Sequence, residues 1–487
     1  MEKQSWLLAS WPDRELSSLG LCVEFRSLEV HHPRELVPQL RIKAHPPRPP
    51  GHWLLGNVPE FLRAPLTYLE HAVDRYGDIV ELKAGRQPAV IIRHPDHVQH
   101  VLQTNRSNYP KRTRVLDRLG LVLGQGLVNS EGELWRQQRR RIQPFFHAEH
   151  IEAYAETMIV EAQTMMESWE DVASSDGSLD LGAEMMRIAF RIVGKTLLGA
   201  DMAAETTAAR EACDVLEGQT NRRLFDLFAP PLWVPTAENR LFREAVEKLD
   251  RIVFRLIERA RSDPHNPSGV VGALVEAAKT DSGLTDKLIR DEIVTLLLAG
   301  HENTGNALTW LWYLVAKHPE VHARLLGELS EVVGDRPPRA SDLAALEYTR
   351  KVVDEALRMY PTSWMNLRTA DRADDIGGYR IEPGSWMLIS PYLIHRHPAF
   401  WPEPKRFDPE RFSKERREDR HMFSYVPFGA GPRKCLGVHF ALVEMVLVVA
   451  SVAQRFQFQL AFDGDLVAEP FVSLTPKGGL RVRLSRN

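Results

Sequence analysis

Residues 428–437 read Phe428-Gly429-Ala430-Gly431-Pro432-Arg433-Lys434-Cys435-Leu436-Gly437, a glycine-rich loop with a single cysteine that leads straight into an apolar run. Two glycines and Pro432 shape a tight turn, which leaves backbone N–H groups free to point at sulfur, while the start of the next helix adds the positive end of its dipole. Both effects favour a thiolate. A buried structural cysteine after a turn is the competing reading, and the complete glycine-glycine-arginine-cysteine-glycine spacing weighs against it.

Outward from this loop, the run Phe440 to Ala453 is broken by Glu444 and reads as a buried helix rather than a membrane span. The longest periodic segment begins after Thr285, an N-cap residue, and carries Leu288, Ile289, Ile293, Leu296, Leu297, Leu308, Leu311, Trp312 and Val315 at helical spacing until Pro319 stops it. Such a helix reaches roughly 45 Å and must run through the core. Its middle, Ala299-Gly300-His301-Glu302-Asn303-Thr304, is polar and bears a glycine that weakens the helix by roughly 1 kcal/mol. That interruption marks a candidate site.

The remaining pattern is mainly helical between about residues 130 and 360, with breaks at Pro144, Pro230-Pro231, around Pro264 to Pro267 and at Pro337-Pro338. A helix over Pro65 to Tyr76 precedes a hairpin of Ile79 to Leu82 and Ala89 to Ile92, and short strands such as Gly378 to Ile381 return in the last third. The fold class is therefore mainly α with a small β region. Residues 1–44 show no clear periodicity and read as an extension, closed by Pro46-Pro47 and Pro49-Pro50.

A chain of 487 residues suggests two or three domains by length alone. Its net charge of -3, with no recurring one-signed tract, argues against a nucleic-acid surface and for a small-molecule ligand. The 3 cysteines, Cys22, Cys213 and Cys435, lie too far apart for a disulfide scaffold, a four-cysteine cluster or a zinc ribbon, which points to a reducing compartment. The apolar patch Trp6 to Trp11 is too short for a signal peptide or an anchor, so the expectation is a soluble, cytoplasmic monomer.

The cysteine loop resembles the haem-binding signature of cytochromes P-450, and four further motifs follow in that family's order between about Pro46 and Arg486. The resemblance implies one catalytic domain over residues 45–487 in place of two or three. It implies a b-type haem (heme b, iron protoporphyrin IX) between the long central helix and the loop, with Cys435 as the metal ligand. In that setting Phe428 shields the sulfur, Gly429 shapes the turn, Arg433 pairs with a propionate and Gly437 lets the helix approach the porphyrin. Trp135 and Arg139, at W-x-x-x-R spacing, and Arg368, ten residues after Arg358, take the other propionate positions. Glu355, Arg358 and Arg411 match the family's buried Glu-Arg-Arg cluster, a structural lock for the loop.

On the oxygen side the family pattern is small-Gly-x-acid-Thr-Thr, where the glycine opens a groove for dioxygen and an acid-alcohol pair relays protons. Ala299, Gly300 and Glu302 match, but Asn303 stands where the alcohol belongs and Thr304 comes about 100° further round the helix. Asn303, on one face with Ala299 and Ala307, is expected to meet the oxygen, and an amide is a poor proton donor. The pocket roof would come from Arg112 to Val128, Thr362 to Asn366 and the turn at Ser473-Leu474-Thr475, with Arg112, Arg114 and Arg118 at the entrance.

The reaction so implied is insertion of one oxygen atom from O2 into a lipophilic small molecule, a fatty acid, terpenoid or polyketide-like compound. Electrons would come from NAD(P)H through a separate ferredoxin or flavodoxin with its reductase, docking near Arg136, Arg140, Arg141 and the basic residues of Lys414 to Arg420. A peroxide-driven peroxygenase or a haem-thiolate isomerase would use the same ligands without external electrons, and a non-enzymatic haem sensor would need neither Glu302 nor an apolar cavity.

Overall fold

A helix of 32 residues, Asp286–Lys317, forms the axis of the molecule in the computed structural model, which describes residues 45–174, 177–199, 203–225, 230–262 and 269–487. The extension over residues 1–44 and the break around 264–267 lie outside the described residues.

Leading up to that axis are α1 (Pro65–Tyr76), the strands β1 (Ile79–Ala84) and β2 (Gln87–Ile92), then α2 (Arg114–Leu123), α3 (Gly132–Ile142) and α4 (Ala148–Glu167). Next come α5 (Leu181–Thr196), α6 (Ala203–Phe225), α7 (Ala237–Ser262) and the axial helix itself, α8 (Asp286–Lys317). After it follow α9 (Pro319–Val332), α10 (Glu347–Met359), β3 (Asn366–Thr369), β4 (Trp386–Ile389), α11 (Val438–Arg455) and β5 (Leu474–Pro476). Helix dominates, and the strands form one four-stranded sheet, a three-stranded sheet and two two-stranded ribbons.

Local chemistry explains the boundaries that matter. Thr285 Oγ1 accepts the Leu288 N–H at 3.3 Å and so caps α8, and Pro319 follows its end. The hairpin of β1 and β2 turns through Gly85-Arg86, with Ala84 paired to Gln87 and Gly85 at φ +63°, the left-handed conformation that such a two-residue turn demands. In the main sheet the order is β1-β2-β4-β3; β2 and β4 run parallel, and the other neighbours antiparallel.

Helix α8 is buried along most of its length and packs against α5, which crosses it closely because Gly300 and Gly305 carry no side chain. A Cβ on Gly300 would come within 2.8 Å of Val193 Cγ2. Gly300, expected above as the opening of an oxygen groove, is thus a packing position on its α5 side. Helix α11 is long and apolar enough to cross a membrane, yet most of it is buried here against α4, α9 and α10. It is a core helix, as its pattern predicts.

Candidate active site around Cys435

The loop before α11 is built by its glycines. Gly429 and Gly431 take φ +68° and +66°, and a side chain on Gly431 would overlap the Leu102 carbonyl oxygen. Cys435 N–H donates to Phe428 O at 2.9 Å, which closes the turn. Burial pushes the Cys435 thiol up, while the Gly437 N–H, Arg139 and Lys434 pull it the other way. A metal ion coordinated at this sulfur would add the charge that favours the thiolate. Although set deep in the protein, Cys435 keeps accessible surface, as do Ala299, Gly300 and Asn303 amid the buried positions of α8.

Cations gather beside the loop. The Arg433 guanidinium lies 4.0 Å over the Trp135 ring and donates to Glu131 Oε1 at 2.8 Å. Arg139, one turn along α3, sits 5.8 Å from the same ring and donates to Lys434 O at 3.2 Å. Arg368, buried in β3, donates to Leu367 O at 2.8 Å, and its pKa is pulled down to about 10 by burial and by Arg433. Lys111, which no sequence motif singled out, donates to Val128 O at 2.8 Å; burial first, then Arg368 and Arg433, bring it to about 7. So dense a group of partly desolvated cations requires anions, and a group bearing two carboxylates beside a sulfur-bound metal fits that donor set. Trp135, Arg139, Arg368 and Arg433, which the family resemblance groups, lie near one another.

The polar middle of α8 splits into three environments. Asn303 folds back so that Nδ2 donates to Ala299 O at 3.2 Å, whereas Thr304 is buried. His301 is buried against Phe190, with Nδ1 at 2.7 Å from Leu297 O and Nε2 3.4 Å from Glu217 of α6. Glu302 is the end of a chain: Asn306 Nδ2 donates to Ser473 Oγ at 2.9 Å, and Ser473 Oγ donates to Glu302 Oε1 at 2.5 Å. Burial, aided by the Glu217 carboxylate, raises Glu302 to about 8, so it holds its proton at neutral pH. Ser473, expected in the pocket roof, serves Glu302 instead. That pairing spans 171 positions and left no local signal.

Of the other roof candidates, Trp364 belongs to the core, where its indole N–H donates to Phe471 O at 2.7 Å, and Leu121 points outward. Arg112 is exposed and pairs with Asp371 at 3.7 Å, and Arg118 donates to Arg223 O. The Gln125 and Leu127 N–H groups of this segment donate to Asp291 and Glu292 of α8, at 2.9 and 3.0 Å. On the outer face of α3, Arg136 and Arg140 are exposed and both pair with Glu133.

The Glu-Arg-Arg cluster forms as expected and is almost wholly buried. Arg358 bonds Glu355 twice, at 2.6 and 2.8 Å, and Arg411 Nε lies 3.4 Å from Glu355. Arg358 also donates to the His395, Pro404 and Arg406 carbonyls. His395, missed in the sequence, joins the cluster to the cysteine loop: its Nδ1 meets Arg358 O at 3.2 Å, and Val426 N–H donates to its Nε2 at 2.8 Å. Burial and Arg358 hold it neutral, which suits a ring that donates on one side and accepts on the other.

The family model described as "Cytochrome P450" matches residues 46–480. The chain belongs to the cytochrome P450 family. Among its P450 relatives, cyclooctatin synthase of Streptomyces melanosporofaciens is 36% identical over 91% of this chain and 96% of its own length. Cyclooctat-9-en-7-ol 5-monooxygenase of the same organism is 34% identical over 83% and 88%. Pentalenene oxygenase of Streptomyces avermitilis is 30% identical over 89% and 95%. In fold, the chain superposes on the crystal structure of a mutant cytochrome P450DA heme domain with a TM-score of 0.81 and 24% identity, covering 91% of this chain and 98% of that one. This P450 is a haem-dependent monooxygenase by family, and its oxidoreductase chemistry follows.

Proposed function

We propose that this P450 hydroxylates or epoxidises a terpenoid, with Cys435 as the thiolate ligand of haem b and electrons delivered from NAD(P)H by a separate ferredoxin or flavodoxin. The observation that carries the reading is the pairing of a glycine-shaped cysteine loop with a cradle of cations, Arg433, Arg368, Arg139 and Lys111, that outnumber Glu131, the carboxylate set among them. Three relatives, named for cyclooctatin, cyclooctat-9-en-7-ol and pentalenene, support the substrate class.

Haem bound there supplies reductive activation of dioxygen, and its sulfur ligand favours O–O cleavage. The protein's part is positional. Arg433, Arg368, Arg139 and the Trp135 indole hold the propionates, and Phe428, Gly429 and Gly437 shape the ground around the sulfur. Glu302 keeps a proton at neutral pH, and Ser473 fixes where the carboxyl points. Asn303, with one amide N–H given to Ala299 O, offers its carbonyl oxygen as an acceptor that can hold water, and Ala299 leaves the helix face open. Thr304 is buried and works as a structural neighbour. The acceptors and carbon skeleton of the substrate would lie along α2 and the segment up to Val128, which α8 anchors.

The test is reconstitution of the purified protein with a surrogate ferredoxin, its reductase and NADPH, on a terpenoid panel under 18O2. Single incorporation of label into product, together with a red-shifted ferrous-carbonyl band, is the expected result. Turnover with hydrogen peroxide and none with the electron chain would assign the site to a peroxide-driven enzyme instead; haem binding with no ligand-induced Soret shift across the panel would count for a sensor.

A further inference from the structure

Glu131 occupies the N-cap position of α3 in an extended conformation, yet its side chain does not cap the helix. Glu131 Oε1 instead meets Arg433 at 2.8 Å and accepts the Lys111 backbone N–H at 3.1 Å. It is also the carboxylate that opposes the mutual repulsion of Lys111, Arg368 and Arg433. A bound haem would bring two propionates to these cations and to Arg139 beside them. Glu131 is the carboxylate that the protein itself adds to them.

We propose that Glu131 is a positioning residue of the haem site: it pins the Arg433 guanidinium over Trp135 and supplies the charge that completes the cradle, and in doing so it sets the reduction potential of the bound iron. This rests on the haem reading given above. One-electron reduction of a haem held there would lower the net positive charge at the iron by one unit, so its midpoint would respond to nearby fixed charge. With Glu131 neutralised, the excess positive charge stabilises the reduced state.

The experiment is a dithionite titration of the holoprotein at pH 6, where Lys111 is charged, with redox mediators and the Soret band as readout. In Glu131→Gln the midpoint is expected to move to more positive potential, in Lys111→Met to more negative, and in the double variant to return close to the parent value. Glu131→Asp, which keeps the charge, should leave the midpoint near the parent. A merely structural role would lower thermal stability without this compensation. Midpoints that stay put in both single variants, a double variant that does not compensate, or an Asp variant that shifts as far as Gln would each overturn the proposal. Should Glu131→Gln fail to retain haem, Lys111→Met and Glu131→Asp decide it by the same criteria. A parent protein without a Soret band would sink the haem reading itself, which is a separate result.

Discussion

Ser473 and Glu302 meet across 171 positions of chain, and their 2.5 Å hydrogen bond decides which way the acid faces. If Glu302 delivers protons, Glu302→Gln should slow product formation by about 10²-fold while substrate still shifts the Soret band, because general acid-base groups contribute at least that much. Ser473→Ala should have a smaller effect of the same kind, seen as a larger fraction of NADPH electrons recovered as hydrogen peroxide. An unchanged peroxide yield in both variants removes this pair from proton delivery. Asn303→Thr restores an alcohol and is expected to lower that peroxide fraction, measured with the same substrate and partner proteins; the amide, folded onto Ala299 O, has no proton of comparable acidity to offer.

Between elements, two contacts lend themselves to test. Helices α5 and α8 touch where Gly300 faces Val193, so Gly300→Val should overpack the crossing and cost about 1–3 kcal/mol, measured by denaturant unfolding. Val193→Ala added to it should recover part of that loss, which a role for Gly300 in oxygen access alone would not produce. The cluster of Glu355, Arg358 and His395 ties α10 to the cysteine loop through Val426. Glu355→Ala strands the buried Arg358 charge, at a cost of about 3–5 kcal/mol, and is expected to lower haem content per mole of purified chain. Those elements were legible in different degrees. Thr285, the apolar periodicity and Pro319 mark α8 locally, and so the sequence reads it closely. His395 has no such mark, because its role comes from a backbone carbonyl and a backbone N–H that only folding brings to its two nitrogens.

Across the whole molecule, buried carboxyls give stability a pH dependence. Burial lifts Glu292 and Glu302 to about 8, and Glu444, buried in α11 with neither oxygen bonded, is pushed well above the ordinary range. In the unfolded chain these groups ionise near 4.5, so between there and about 8 the unfolded state binds fewer protons, and stability falls as pH rises. Glu292→Gln should make the decline in melting temperature from pH 6 to 8 shallower, by an amount on the order of a few kcal/mol in stability. His395 acts in the opposite direction: its depressed pKa means that stability drops as pH falls below about 6.5, where the unfolded imidazole takes up a proton.

By itself the sequence determined the family and the helical class and singled out Cys435 as the candidate ligand, because each rests on spacing within a few turns of chain: the loop from Phe428 to Gly437, the W-x-x-x-R step of α3 and the long periodic run of α8. Tertiary structure alone decided that Lys111 and Glu131 join the cation cradle, that Ser473 holds Glu302, that Gly300 is a packing glycine and that Trp364 is core. Those assignments depend on charge and contact between segments remote in the chain. Electrostatic and packing energies act through space, and they leave no period or motif in the order of residues from which to read them.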